Sequence, residues 1–175
     1  KTVRYVESPI ERLDPATDTV TLANGETLSY DVCIVATGTR IVPEELEGLT
    51  GTGWGEKMFE FYTLEGAIRL EKALREFKGG RVVVNVVEMP IKCPVAPLEF
   101  AFLAEAELRR RGLREKTELV YATPLEGAFT KPVASAQLGD LLARRGISVV
   151  GDFSASEVDG ARRLIATITA FTIAH

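Results

Sequence analysis

Apolar and polar positions change rhythm several times along the chain, and each change marks an element. The opening reads as a β-ribbon. Val3, Tyr5 and Ile10 fall on one extended segment, Val20 and Leu22 alternate with threonines, and Leu28 and Tyr30 lie on a returning arm. Asp14-Pro15-Ala16-Thr17-Asp18 is a turn cluster. Asn24-Gly25 closes a tight hairpin, because both residues tolerate positive φ. Residues 30–40 then read as an apolar strand ending in Ala36-Thr37-Gly38, with Cys33 in its middle as a core residue.

The second half follows a different rhythm. Thr63 is an N-cap with Glu65 in the first turn, and Ile68, Leu74 and Phe77 continue a helical apolar face up to Gly79-Gly80. Residues 82–87 are almost all β-branched on both phases, which predicts a central strand buried on both faces of a parallel sheet. Pro97 opens a helix over residues 98–111 with Leu98, Phe102, Ala106 and Leu108 as its apolar stripe. Arg109, Arg110 and Arg111 complement the negative helix end before Gly112. Residues 119–122 form the next strand. A helix from Pro132 with Ala134, Leu138, Leu141 and Leu142 inside follows, then a strand over 147–150. Residues 153–158, Asp159-Gly160 and the stretch from Leu164 make a hairpin. The predicted class is α/β: a Rossmann-like three-layer parallel sheet with an attached antiparallel β-ribbon.

The loop between the strand at 82–87 and its helix carries the candidate chemistry. Dinucleotide-binding folds place G-x-G-x-x-G there, so that pyrophosphate can approach backbone and helix N-terminus. Residues 86–98 contain no glycine, but three prolines, Lys92 and Cys93. Proline removes N–H donors, and the side chains of Lys92, Cys93 and Val95 would crowd a phosphate. The acid that would hold a ribose after the next strand is also missing, since that strand ends Tyr121-Ala122-Thr123-Pro124. A cysteine beside Lys92 and close to a helix N-terminus sits in a positive field that favours thiolate. The plainer reading makes Cys93 a small buried hydrophobe.

Composition narrows the classes. A net charge of −4 gives no case for nucleic acid. No run is apolar for long enough to span a bilayer. Two cysteines make no disulfide framework, and the single histidine, His175, is terminal and is assigned no role. No His/Cys/Asp grouping has metal-ligand spacing and no Ser–His pair is present, so no metal site is expected. Gly51-Thr52-Gly53-Trp54-Gly55 lacks the preceding strand and following helix of a nucleotide loop, and Trp54 reads as a packing anchor.

Two stretches resemble known families. Y-D-x-x-x-x-A-T-G at residues 30–38, after a β-hairpin, resembles the flavin-domain signature of the two-dinucleotide-domain flavoprotein reductases. Lys92-Cys93-Pro94-Val95-Ala96-Pro97-Leu98-Glu99 resembles the C-P-x-A-P-x-E segment of sulfide:quinone oxidoreductases and of the flavoprotein subunit of flavocytochrome c sulfide dehydrogenase. Phe61-Tyr62-Thr63-Leu64-Glu65-Gly66-Ala67 looks like the helix start of the same group.

The resemblance implies a middle fragment of a flavin-dependent enzyme that oxidises sulfide. Electrons would pass through a redox cysteine, matched by Cys93, to FAD and on to quinone or a haem. Ala36, Thr37, Gly38, Thr39 and Arg40 would contact or flank the flavin in the parent protein, with FAD expected to be absent from the fragment itself. Glu99 reads first as a carboxylate favoured by the helix dipole, and second as a proton-handling group. The implied layout is a partial FAD-binding domain over 1–42, a linker over 43–57 and an NAD-domain-like half over 58–175. The implied location is the cytoplasm or the cytoplasmic membrane face, with membrane contact only through regions outside this chain. Two other readings stay open: an NAD(P)H-dependent flavoprotein dehydrogenase, and a degenerate Rossmann module without catalysis.

Overall fold

The computed structural model describes residues 3–167; His175 lies outside them. The chain divides into two compact units, residues 1–39 and 40–175.

The first unit is an antiparallel sheet of β1 (Ile10–Asp14), β2 (Thr19–Leu22) and β3 (Thr27–Ser29), in that order. Val20 faces Leu13 on one side and Leu28 on the other, so the expected ribbon forms. Gly25 turns the β2–β3 hairpin at φ 86, and the Asn24 side chain accepts the Glu26 N–H at 3.0 Å. The expected strand over 30–40 does not form. A strand is held by backbone bonds to a neighbour, and residues 31–40 pair with no strand among the described residues. Ile34 is 86% exposed, and Cys33, expected in a core, is exposed as well.

The second unit is built on a parallel sheet of β4 (Gly80–Asn85), β5 (Thr117–Ala122) and β6 (Ser148–Val150). The middle strand is β5, not β4 as the run of valines suggested. Five of its six residues are buried, whereas β4 has one buried, three half-buried and two exposed, because only β5 has a hydrogen-bonded neighbour on each side. The crossover β4–α2–β5 uses α2 (Ala96–Arg110), and β5–α3–β6 uses α3 (Pro132–Arg144). Right-handed crossovers that progress in one direction leave both helices on one face. Leu98 and Ala101 of α2 and Leu142 of α3 join Val84, Leu119, Tyr121 and Ile147 in one core.

Helix α1 (Leu64–Glu76) precedes the sheet and opens on the predicted N-cap: Thr63 Oγ1 accepts the Gly66 N–H at 3.0 Å. The predicted stripe of α2 is shifted. Leu98, Ala101, Ala104, Glu105 and Leu108 are buried, whereas Ala106 is exposed. Gly112 ends α2 in the left-handed region at φ 66. The closing hairpin, β7 (Ala155–Asp159) with β8 (Leu164–Thr167), rests on the segment before α1: the Val158 N–H donates to the Glu47 carbonyl at 2.8 Å.

Candidate functional site

Parallel α/β sheets bind ligands beyond the carboxyl ends of their strands, and the Cys93 loop lies there. The loop leaves β4 after Asn85, which pairs in register with Ala122 at the end of β5. The Val86 N–H extends the ladder by one bond, to the Ala122 carbonyl at 2.8 Å. The loop then runs free of glycine through a cis Met89–Pro90 bond to Cys93, whose carbonyl accepts the Ala96 N–H at 3.1 Å as α2 begins. Pro97 occupies the first turn of α2, as expected.

Cys93 is exposed, so it is not the buried hydrophobe of the plainer reading. Lys92 and Glu99 flank it in sequence and are exposed too. A second element reaches the loop. The Tyr62 hydroxyl, just ahead of α1, donates to the Cys93 carbonyl at 3.4 Å. That carbonyl therefore receives one donor from its own helix and one from α1's entry.

Several contacts fix the entry. Glu60 Oε2 accepts the N–H of Tyr62 at 2.6 Å and that of Thr63 at 2.9 Å, while Glu60 Oε1 accepts the Thr63 hydroxyl. Phe61 stacks on Tyr62 with ring centroids 5.2 Å apart, and on Phe100 of α2 at 4.8 Å. Stacked pairs of this kind add about 0.5–1.5 kcal/mol each beyond burial.

Burial first, and then the negative charge Cys93 can carry, push the Tyr62 phenol above its ordinary value. Tyr121 of β5, 2% exposed, is raised chiefly by burial, with a hydrogen bond to Thr123 pulling the other way and Tyr62 adding a further upward push. Asn85 Oδ1, at the end of β4, is buried without a hydrogen-bond partner. The strand ends thus gather a thiol, two phenols, a buried threonine and an unpaired amide oxygen. An apolar groove also opens between α1 and α2, lined by Phe61, Leu70, Leu74 and Phe100, but neither Cys93 nor Tyr62 lines it.

The other predicted site residues are distributed differently. Ala36, Thr37, Gly38 and Thr39 belong to the first unit and Arg40 to the second, and all five are exposed. Gly38 sits at φ 74 with no atom within 4 Å of where a Cβ would be, and Arg40 pairs with Glu44 at 3.1 Å. A bare backbone strip with a left-handed glycine suits a flat ligand laid along it. Among the described residues no group of His, Cys, Asp and Glu can hold a metal, and no helix is long and apolar enough to cross a membrane.

Sequence reasoning passed over Tyr62, Tyr121 and Asn85. Tyr62 carried a signal in hindsight: two adjacent aromatics directly before an N-cap have no place on the helix face and must pack elsewhere.

The parallel sheet, its helical crossovers and the loop at its carboxyl edge define the class. This is a Rossmann-type α/β fold. Within that class the chain is similar to sulfide:quinone oxidoreductases, the resemblance expected from the cysteine loop. It is 26% identical to the mitochondrial sulfide:quinone oxidoreductase of Mus musculus over 147 residues, 84% of this chain and 33% of that protein. It is 27% identical to the sulfide-quinone reductase of Aquifex aeolicus over 164 residues, 90% of this chain and 36% of that protein. The crystal structure of the sulfide:quinone oxidoreductase from Aquifex aeolicus superposes with a TM-score of 0.75 at 24% identity, covering 95% of this chain and 39% of that one. The chain thus spans about one third of the length of the curated relatives it matches. No family model matches it.

Proposed function

We propose that this chain is part of a flavin-dependent oxidoreductase that oxidises sulfide and passes the electrons to quinone. The observation that carries the reading is the Cys93 loop: an exposed thiol, in place of a phosphate-binding glycine loop, at the carboxyl edge of the sheet. The relatives that match across this loop are named for sulfide and quinone.

In this reading Cys93 is the redox thiol. A thiolate is a strong sulfur nucleophile, and its exposure admits a substrate as small as sulfide. Ala36, Thr37, Gly38, Thr39 and Arg40 would lie along the FAD, with the Gly38 backbone at closest approach. Bound FAD would supply the two-electron acceptor. The layout proposed is a flavin-domain portion over 1–42, a connecting stretch over 43–57 and a Rossmann half over 58–175. The proposed location is the cytoplasm or the cytoplasmic face of a membrane, where quinone is reached through parts of the protein outside this chain.

The test uses the protein expressed from its complete reading frame and purified with flavin. Flavin absorbance is followed anaerobically on adding sulfide or NADH. Bleaching by sulfide that is lost in Cys93→Ser is the expected result. Bleaching by NADH alone would replace this reading with a pyridine-nucleotide dehydrogenase. No bleaching by either would leave a Rossmann module without redox chemistry.

A further inference from the structure

We infer that the outer edge of β4 is a docking edge for one further parallel strand, supplied by the part of the complete protein outside this chain. The inference shares with the proposed function only the premise that the protein is longer than this chain. It stands whether or not Cys93 carries redox chemistry.

The backbone shows which groups such a strand would serve. Along a strand, the N–H and C=O of one residue point to one side and those of the next residue to the other. The Val86 N–H points to β5, where it reaches the Ala122 carbonyl at 2.8 Å. Val84 and Val82 therefore face β5 as well, and Val83 and Asn85 face away from it. β5 uses both of its sides: its Ala122 carbonyl serves Val86, and the Thr123 N–H just past its end reaches the Val150 carbonyl of β6 at 2.9 Å. β4 has no strand on its other side, so among the described residues the N–H and C=O of Val83 and Asn85 have no backbone partner. The Asn85 side-chain oxygen, buried at the same end, has no donor either. Both residues are half-buried, where unserved polar groups are costly.

The sequence of β4 also fits an inner strand. Residues 82–87 are five valines and Asn85. Inner strands of parallel sheets are apolar on both phases, whereas open edges are kept short, charged or interrupted by proline. The opposite edge follows that rule, since β6 has three residues and opens on Ser148. β4 has six residues, and its one charge, Arg81, lies near its start and pairs with Glu118 of β5.

The occupant is a strand of the same polypeptide. The chain spans about one third of the length of its relatives, which leaves ample polypeptide for it. A second copy fits less well. A twofold axis through the edge would set β4 against β4 antiparallel, and antiparallel pairs do not call for valine on both faces.

The added strand changes the carboxyl edge. Both crossovers progress the same way, from β4 to β5 to β6, so the strand order reverses nowhere among these three. A parallel strand on the other side of β4 creates a reversal at the carboxyl end of β4. Open α/β sheets bind ligands at such switch points. The Cys93 loop and Asn85 then stand on one wall of that crevice.

The experiment measures hydrogen exchange at single amides of the protein from the complete reading frame. The Val83 and Asn85 amides should exchange as slowly as those of Val82 and Val84, at least about a hundredfold more slowly than an unbonded amide. Fast exchange at Val83 and Asn85 beside slow exchange at Val84 overturns the inference. Val83→Pro, measured against Val83→Ala, separates a bonded strand from a helix or loop that merely covers the edge. Proline lacks the N–H and is tolerated in a strand only where that N–H is unused. Its urea midpoint should fall about as far as that of Val84→Pro, which breaks the ladder to β5. An unmoved midpoint overturns the inference even where exchange is slow. Protection lost on dilution to the monomer assigns the edge to a second copy and overturns it as well. Short Hα–Hα contacts across the new pair mark antiparallel pairing and overturn the parallel assignment with its switch point. None of these readouts depends on sulfide bleaching, so this inference and the proposed function fail separately.

Discussion

Arg145 ties the end of α3 to the middle of α2: its Nη1 donates to Glu105 Oε2 at 3.1 Å, across 40 residues of chain. The Glu105 side chain is fully buried, in line with Leu98, Ala101 and Leu108. Arg109 donates to the other oxygen through Nε at 2.9 Å, and Arg114 Nε lies 3.8 Å from it. Arg114 in turn donates to the Thr117, Arg145 and Gly146 carbonyls. One carboxylate thus gathers the end of α2, the start of β5 and the end of α3.

Removing that carboxylate is expected to weaken the sheet's helical cover. Breaking a buried pair usually costs about 3–5 kcal/mol. Arg109 and Arg145 are 60% and 48% exposed and regain water, whereas Arg114, at 14%, does not. We expect Glu105→Ala to cost about 2 kcal/mol, lowering the melting temperature by about 4–8 °C. A melting curve unchanged from the parent would show that the cluster contributes nothing net.

The same cluster predicts an acid limb. Burial pushes the Glu105 carboxyl up, but hydrogen bonds from Arg109 and Arg145 outweigh it and hold the group below its ordinary 4.5. A carboxyl with a depressed folded-state value contributes fully above its unfolded value and loses that contribution as pH falls through the folded one. Glu105→Gln should therefore lower stability at neutral pH and flatten its decline below pH 4.5. Urea midpoints from pH 7 down to pH 3 test this, and parallel curves for the two proteins would contradict it.

Most of the second unit was legible because its signals are local. Apolar runs marked β4 and β5, Thr63 marked the start of α1, and Pro97 and Pro132 marked the next two helices. The Cys93 loop was legible from the lack of glycine between strand and helix. What was not legible depends on partners distant in sequence. Residues 30–40 have a strand's composition, but among the described residues no neighbouring strand holds them, and Cys33 and Ile34 are exposed. β5 is central only because β6 returns to its far side. Glu105 sits on an apolar stripe where charge is unexpected, and only three arginines from three segments explain it. Tyr62 belongs to the site because α1's entry is folded against the loop 31 residues later.

The cap that holds Tyr62 should be measurable by itself. Thr63 Oγ1 accepts the Gly66 N–H and its hydroxyl donates to Glu60, so one side chain serves both helix and entry. Thr63→Ala is expected to cost about 1 kcal/mol. Thr63→Ser keeps the hydroxyl and should recover most of that loss in the urea midpoint. If the serine and alanine variants were equally unstable, the methyl group rather than the hydroxyl would be the stabilising part.

Two helical glycines should respond to alanine with opposite signs. Glycine inside a helix costs about 1 kcal/mol relative to alanine, so propensity alone favours both replacements. Gly139 lies within α3, and a Cβ there meets nothing within 4 Å. Gly139→Ala should therefore stabilise the protein by about 0.5–1 kcal/mol. Gly66 lies in the first turn of α1, where a Cβ would fall 1.9 Å from Glu60 Oε1 and 2.4 Å from the Glu60 carbonyl oxygen. The carboxylate can swing away, but only by releasing the N–H groups of Tyr62 and Thr63 that it holds, and the carbonyl moves only with the backbone. The clash outweighs the propensity, so Gly66→Ala should lower the urea midpoint and loosen α1's entry. Hydrogen exchange at the Tyr62 and Thr63 amides should then quicken, whereas Gly139→Ala leaves it unchanged. Stabilisation by alanine at both positions would mean that Glu60 and Thr63 do not hold the entry as described, and the link from α1 to Cys93 through Tyr62 would lose its support.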